Sequence, residues 1–338
     1  MRAVSQRIGE WTTLGLGGPA HRVVEAGTEG ELVAAVVEAD AAGEPVLVLA
    51  GGSNVVVADE GFAGTVVRVG ASGVTSDDDM LRAAAGETWD GFVARCVEQG
   101  RAGVECLSGI PGSIGATPIQ NVGAYGQDVA ETIVAVRVLD RRAGEVGELG
   151  AADCGFSYRS SVFKREPGRW VVLEVSYRLP RADESRPIRY AELARKLGVS
   201  VGATAPLADV REAVLALRRG KGMVLDPGDP DTRSAGSFFT NPILALADVP
   251  PGAPAWPEPD GRVKTSAAWL IEQAGFRRGE GDPDGIAISS KHVLALTNRG
   301  AGTAAELLAT AQRIAAGVRE ASGVELVPEP VFVGLPWP

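Results

Sequence analysis

GIPGSIGATPIQNVGAYG, residues 109–126, decides the reading of this chain. Five glycines and two prolines fall within it, yet Ile110, Ile114, Ile119 and Val122 keep the stretch apolar. A solvated linker would be more polar. Glycine lets backbone approach a partner closely and turn its N–H groups toward it. Two readings fit. One is a buried loop pressed on a flat ligand, its N–H groups answering pyrophosphate oxygens. The other is a glycine-rich crossover packed on a sheet. A second glycine loop, AGGSN at 50–54, follows the apolar run VLVL at 46–49. Gly51 and Gly52 permit a turn, and Ser53 and Asn54 add donors. No Gly-Lys-Ser/Thr follows and the spacing is not G-x-G-x-x-G, so neither nucleotide fingerprint applies. Alone it reads first as a plain tight turn.

Working outward, 29–42 carries Leu32, Val33, Val36 and Val37 at helical spacing. Residues 87–99 read as a helix with Thr88 as N-cap, and 207–219 as another with Val210, Val214 and Leu217 on one face. Helices follow at 265–274 and 303–320. Strands are expected at 45–51, 65–69, 133–140, 170–178 and 324–333. Five prolines in 249–261 argue against regular structure there. Strands do not alternate with helices in the first half, so the fold class is α+β rather than doubly wound. There is no internal repeat.

The chain has 338 residues, 44 of them glycine, and a formal net charge of −10. That charge argues against nucleic acid as a partner, which needs a basic footprint. A local basic pocket for a small anion remains compatible. The cysteines Cys96, Cys106 and Cys154 lack C-x-x-C spacing, and His21 and His292 lie far apart, so no metal site is expected. The N-terminus has no apolar signal core and no run approaches a membrane span. A cytoplasmic protein without membrane insertion is the expectation.

The two glycine loops together resemble the FAD-binding domain of the vanillyl-alcohol-oxidase, or PCMH, type. The wording is more specific: LGLGGPA at 14–20, LAGGSNVVVADEGFAGTVV at 49–67 and GIPGSIGATPIQNVGAYGQDV at 109–129. With YRSSVFK at 158–164, GSFFTNP at 236–242, AAWLIEQAGF at 267–276 and PEP at 328–330, it looks like the UDP-N-acetylenolpyruvoylglucosamine reductase family across nearly the whole chain. The resemblance implies a two-part FAD-binding domain, lobes 1–70 and 71–222, and a smaller α+β substrate domain at 223–323. The segment 324–338 would return to the second lobe. It implies non-covalent FAD, NADPH as reductant, UDP-N-acetylglucosamine enolpyruvate as substrate, and a monomer. Hydride from flavin N5 would go to C3 of the enolpyruvyl group and a proton from Ser237 to C2.

The residues can be weighed individually. Arg159 would ordinarily be a surface or capping arginine, but its fork can hold a carboxylate. By resemblance it stabilises the developing enolate. Ser237 would ordinarily be a small turn residue; by resemblance it is the proton donor. Glu329 sits between two prolines that limit its backbone; by resemblance it is the catalytic glutamate, orienting substrate or sharing the proton transfer. Many relatives carry an arginine two residues later, where Val331 stands here. The resemblance implies flavin contacts from Gly51, Gly52, Ser53, Asn54, Gly112, Ser113, Gly115, Ala116, Asn121, Gly123, Ala124 and Tyr125. It implies substrate contacts from Tyr158, Tyr190, Lys221, Asn241 and His292, with Tyr190 and Lys221 fitting the type I branch. Arg218, Arg219 and Lys221 form a basic cluster suited to a diphosphate. Two other readings remain: a flavin oxidase on the same scaffold, and a nucleotide-binding module without chemistry.

Overall fold

The computed structural model describes residues 6–337. The first five residues of the stretch read for a signal core, and Pro338 at the end of the 324–338 segment, lie outside the described residues. The chain is a mixed α+β protein of two compact units, one of residues 20–52 and 63–220, the other of residues 6–19, 53–62 and 221–337.

The 20–220 unit is built on a five-stranded antiparallel sheet, in the order Glu145–Gly150, Ile133–Asp140, Trp170–Arg178, Met80–Ala84, Val74–Asp77. Its central strand Trp170–Arg178 is buried on both faces. Val171 and Leu173 pack with Leu32 and Val36 of the helix Glu29–Ala41. Val172, Val175 and Tyr177 pack with Phe92 and Val93 of the helix Trp89–Glu98. Strict alternation would put Val172 and Val175 on opposite faces. A register shift between Val172 and Glu174 realigns them. Aromatic residues are few, and three of them meet here: Trp89, Phe92 and Tyr177 lie 5.0–6.0 Å apart between ring centroids. The helix Glu29–Ala41 starts at a capping box of Thr28 and Glu31. A three-stranded sheet, ordered Ala20–Ala26, Phe62–Val69, Val46–Leu49, completes this unit. The helices Ala191–Leu197 and Leu207–Gly220 close a separate core around Leu193, Val210 and Val214.

The other unit packs the helices Ala267–Gln273 and Ala304–Ser322 on two strand pairs. Ile286–Ile288 pairs antiparallel with Leu296–Asn298, and Val331–Val333 pairs parallel with Val55–Val57. Phe238 and Phe239 are buried in this core, as their apolar character predicts.

Several expectations need correction. The C-terminal strand covers Val331–Val333, not 324–333, because Pro328 and Pro330 interrupt the earlier residues. It lies on Val55–Val57, in the same compact unit as 221–337, and not with residues 71–220. The proline-rich 249–261 segment does hold a strand, Ala255–Pro257, at the edge of a small sheet on Val263–Thr265. An edge position tolerates proline because one side of the strand makes no ladder. Thr88 stands at the N-cap of its helix, yet its hydroxyl makes no cap bond.

Candidate active site

The two glycine loops meet backbone to backbone. A Cβ on Gly51 would lie 2.8 Å from the Gly112 Cα and 3.1 Å from its carbonyl carbon. A Cβ on Gly115 would lie 2.7 Å from that of Ala85. Both positions require glycine for space. The N–H groups of Ile114, Gly115 and Ala116 donate to the carbonyls of Glu87, Ala85 and Ser113. That part of the loop is therefore bonded to the protein, contrary to a loop whose N–H groups all serve a ligand. The Ser113 hydroxyl, next to the Gly51–Gly112 contact, is buried and has no partner among the described residues. A buried polar atom left unanswered is rare. Close-packed glycine backbone beside an unanswered buried hydroxyl suits phosphate oxygens, so these residues fit the diphosphate of a dinucleotide cofactor. Asp90 secures the loop's start. It accepts from the Gly109 N–H at 2.6 Å and takes Arg211 at 2.6 and 2.9 Å. Burial would raise its carboxyl, but the bonds from Arg211 and Gly109 outweigh that and hold it below the usual range.

The loop ends in a two-residue hairpin. Gly123–Ala124 pairs with Gln127–Asp128, and both turn residues have positive φ, Tyr125 at 49° and Gly126 at 84°. That is the pattern of a type I′ turn, where Asn-Gly is usual. A Cβ on Gly123 would collide with the Asp128 carboxylate. Only four non-glycine residues among those described have positive φ, and three are Asn121, Tyr125 and Arg159. Each costs about 1–3 kcal/mol, and such strain gathers at functional sites.

Arg159 sits in a second tight turn. Ser157 and Ser160 exchange backbone hydrogen bonds of 3.0 and 3.1 Å across Tyr158-Arg159. The Arg159 φ is 51°, as the third residue of a type II turn requires. Its Nη2 donates to the Gly123 carbonyl at 2.7 Å, and its guanidinium lies 5.4 Å from the Tyr158 ring centroid. Asn121 joins the two loops, donating to the Ser157 carbonyl at 3.1 Å and accepting from the Ala130 N–H at 3.1 Å. Tyr190, at the N-cap of Ala191–Leu197, stands edge-on to Tyr125 at 5.4 Å. Burial pushes the Tyr125 phenol up to about 12, so it stays neutral.

In the other unit, Ser237 and Glu329 come together through the backbone. Ser237 follows Gly236, whose φ is 73°. The next residue, Phe238, accepts the Glu329 N–H at 2.8 Å, and Thr240 donates to the Val327 carbonyl at 3.0 Å. Asn54 holds the other side of Glu329, donating from Nδ2 to its carbonyl at 3.3 Å, while the Asn54 carbonyl accepts the Val331 N–H at 3.0 Å. Ser53 lies in the turn beside Asn54, half-buried. Asn241 supports the fold, since its Oδ1 accepts the Ala267 N–H at 3.0 Å, at the start of the helix Ala267–Gln273. Lys221 follows the helix Leu207–Gly220 directly, and His292 lies in the turn before Val293; both are half-buried.

The expected basic cluster is divided. Arg218 is buried, and burial lowers its pKa, with Tyr125 and Asp90 as its electrostatic neighbours. Arg219 is exposed and pairs with Glu212. Helical geometry turns successive residues by about 100°, so adjacent arginines cannot share a face. Sequence reading also passed over Glu105, a fully buried carboxylate. Its only signal was a glutamate in the apolar run VECL.

A model of the FAD binding domain family matches residues 20–150. A model of the UDP-N-acetylenolpyruvoylglucosamine reductase C-terminal domain matches residues 229–333. The UDP-N-acetylenolpyruvoylglucosamine reductase of Thermobifida fusca is 58% identical, covering 97% of this chain and 97% of its own. That of Streptomyces coelicolor is 56% identical, covering 96% and 88%. The crystal structure of UDP-N-acetylenolpyruvylglucosamine reductase (MurB) from Thermus caldophilus superposes with a TM-score of 0.69 at 25% identity, covering 98% of this chain and 99% of that one.

Proposed function

The chain belongs to the UDP-N-acetylenolpyruvoylglucosamine reductase family, and on that premise we propose that Arg159, Ser237 and Glu329 carry its chemistry. The protein is an FAD-containing oxidoreductase of peptidoglycan precursor synthesis, a UDP-N-acetylmuramate dehydrogenase. Its substrate is UDP-N-acetylglucosamine enolpyruvate, its reductant NADPH, and it works as a cytoplasmic monomer. FAD, when bound, relays hydride from NADPH to C3 of the enolpyruvyl group. The flavin is held without a covalent bond. The thiols of Cys96, Cys106 and Cys154 are buried, and burial raises all three, which argues against a cysteinyl link.

Hydride addition at C3 leaves negative charge at C2, shared with the substrate carboxylate. Donors fixed in advance lower the energy of such charge. The carrying observation is that Arg159 is held in a strained turn with its guanidinium tied to the Gly123 carbonyl. A guanidinium has five donors, which allows it to hold a loop carbonyl and a substrate carboxylate together. Ser237 gives its proton to C2. A serine hydroxyl is a weak acid, so its alkoxide needs the stabilisation of a placed neighbourhood. Glu329, with its backbone held by Phe238 and Asn54, orients the enolpyruvyl group. Tyr190 and Lys221 contact the nucleotide part of the substrate, with Tyr158 and His292 beside it. Val331 supplies no charge where many relatives have arginine, and Arg159 is the cation assigned to the carboxylate.

Replacing Ser237 by Ala tests the assignment in separate half-reactions. Reoxidation of reduced enzyme by the enolpyruvyl substrate is expected to slow by at least a hundredfold, with reduction by NADPH nearly unchanged. Equal slowing of both halves removes Ser237 from the proton transfer.

A further inference from the structure

Glu105 has no solvent exposure. A buried carboxylate is costly unless several donors answer it. Here Oε2 accepts the Gly103 N–H at 2.6 Å, and Oε1 accepts the Gln127 side chain at 2.8 Å and the Arg186 N–H at 3.2 Å. Gln127 is fixed in turn, because its Oε1 accepts the Cys106 N–H at 2.9 Å. Its amide therefore has one orientation, nitrogen to Glu105 and oxygen to Cys106.

Gln127 belongs to the hairpin that carries Gly123 and Tyr125. The Gly123 carbonyl receives Nη2 of Arg159, and the Tyr125 ring meets Tyr190. The hairpin is two residues per strand with a strained turn, and the Gln127 side chain ties it to the buried Glu105, beside the Arg189 bond to the Gly126 carbonyl at 3.3 Å. The residue held by Glu105 is thus on the same hairpin as the arginine and the tyrosine contact.

We propose that Glu105 is a positioning residue for Arg159 and Tyr190, acting through Gln127 on the 123–128 hairpin. The proposal rests on the assignment of Arg159 to the developing enolate. It gives the buried carboxylate a role in the second half of the reaction, without contact with substrate.

Glu105→Gln, in holoenzyme, turns one acceptor into a donor that faces N–H groups. Reoxidation by UDP-N-acetylglucosamine enolpyruvate is expected to slow at least tenfold. Reduction by NADPH should change less than threefold, and the thermal midpoint should fall only slightly. Titrating substrate into oxidised enzyme, followed by the flavin absorbance shift, should show affinity weakened at least fivefold. In an Arg159→Ala background, Glu105→Gln should alter the limiting rate of reoxidation at saturating substrate less than twofold, because the path through Arg159 is already gone and the Tyr190 path acts on substrate affinity. Equal slowing of both half-reactions, or full additivity with Arg159→Ala in the limiting rate, would each overturn the proposal. If Glu105→Gln does not fold, Gln127→Ala must show the same selective loss, and its failure to do so is equally decisive. A wild-type flavin that this substrate cannot reoxidise would overturn the functional reading itself, which separates that failure from this one.

Discussion

Gly51→Ala tests whether the two glycine loops form a cofactor cradle. The new Cβ would sit 2.8 Å from the Gly112 Cα, 3.1 Å from its carbonyl carbon and 3.4 Å from the Ser113 nitrogen. These are backbone atoms, which cannot rotate away as a side-chain tip can. The loops must separate by roughly half an ångström or more to reach ordinary contact, and overpacking of this kind costs about 1–3 kcal/mol. Gly51 does not have positive φ, so the effect is steric and free of backbone strain. If the separation falls on the cradle, FAD affinity drops by about 5- to 150-fold at 1.4 kcal/mol per decade. The assay is flavin fluorescence quenching on titrating FAD into apoprotein, with the thermal midpoint measured beside it. Gly147→Ala is the control, since its Cβ would meet nothing within 4 Å. It should leave FAD affinity unchanged. Gly51→Ala binding FAD as tightly as wild type would refute the cradle and restore the reading of a plain packed turn.

Three further outcomes follow from the geometry. Arg159→Lys should slow reoxidation by substrate at least tenfold in stopped-flow absorbance, because a lysine has no fork to hold carbonyl and carboxylate together. Asp90→Asn should lower stability by about 1 kcal/mol, a figure discounted because the aspartate is partly exposed. The Asp90 pKa is depressed in the folded state, so its contribution is present above the ordinary value of 3.8 and lost as pH falls through the lower folded value. Denaturation curves of wild type and variant should therefore converge below that pH. Thr303→Ala removes half of the capping box at the helix Ala304–Ser322. It should cost about 0.5–2 kcal/mol in urea unfolding, with FAD affinity unchanged.

The legible parts of the sequence were those with a strong local signal. Leu32 and Val36 show helical spacing, and the glycine loops announce close backbone approach. The strands Val74–Asp77 and Glu145–Gly150 were missed because they lie at the two edges of the large sheet and carry mostly exposed residues. Alternation has little to mark when neither face is buried. Asn121, Tyr125 and Arg159 were identifiable as residues, but their left-handed backbones were not. Tyr125-Gly126 occupies a turn that Asn-Gly would have advertised. Glu105 was invisible because one glutamate in an apolar run looks the same whether it faces solvent or a ring of N–H donors. Asn241 has a structural duty that the sequence does not announce, since its side-chain oxygen accepts at a helix start.

The central claim is that the reduced flavin of this protein is reoxidised by an enolpyruvyl sugar nucleotide. Anaerobic spectrophotometry measures that directly. NADPH should bleach the yellow enzyme, and UDP-N-acetylglucosamine enolpyruvate should restore the colour with formation of UDP-N-acetylmuramate. A bleached enzyme that regains its colour only when oxygen is admitted would contradict the account and identify an oxidase on the same scaffold.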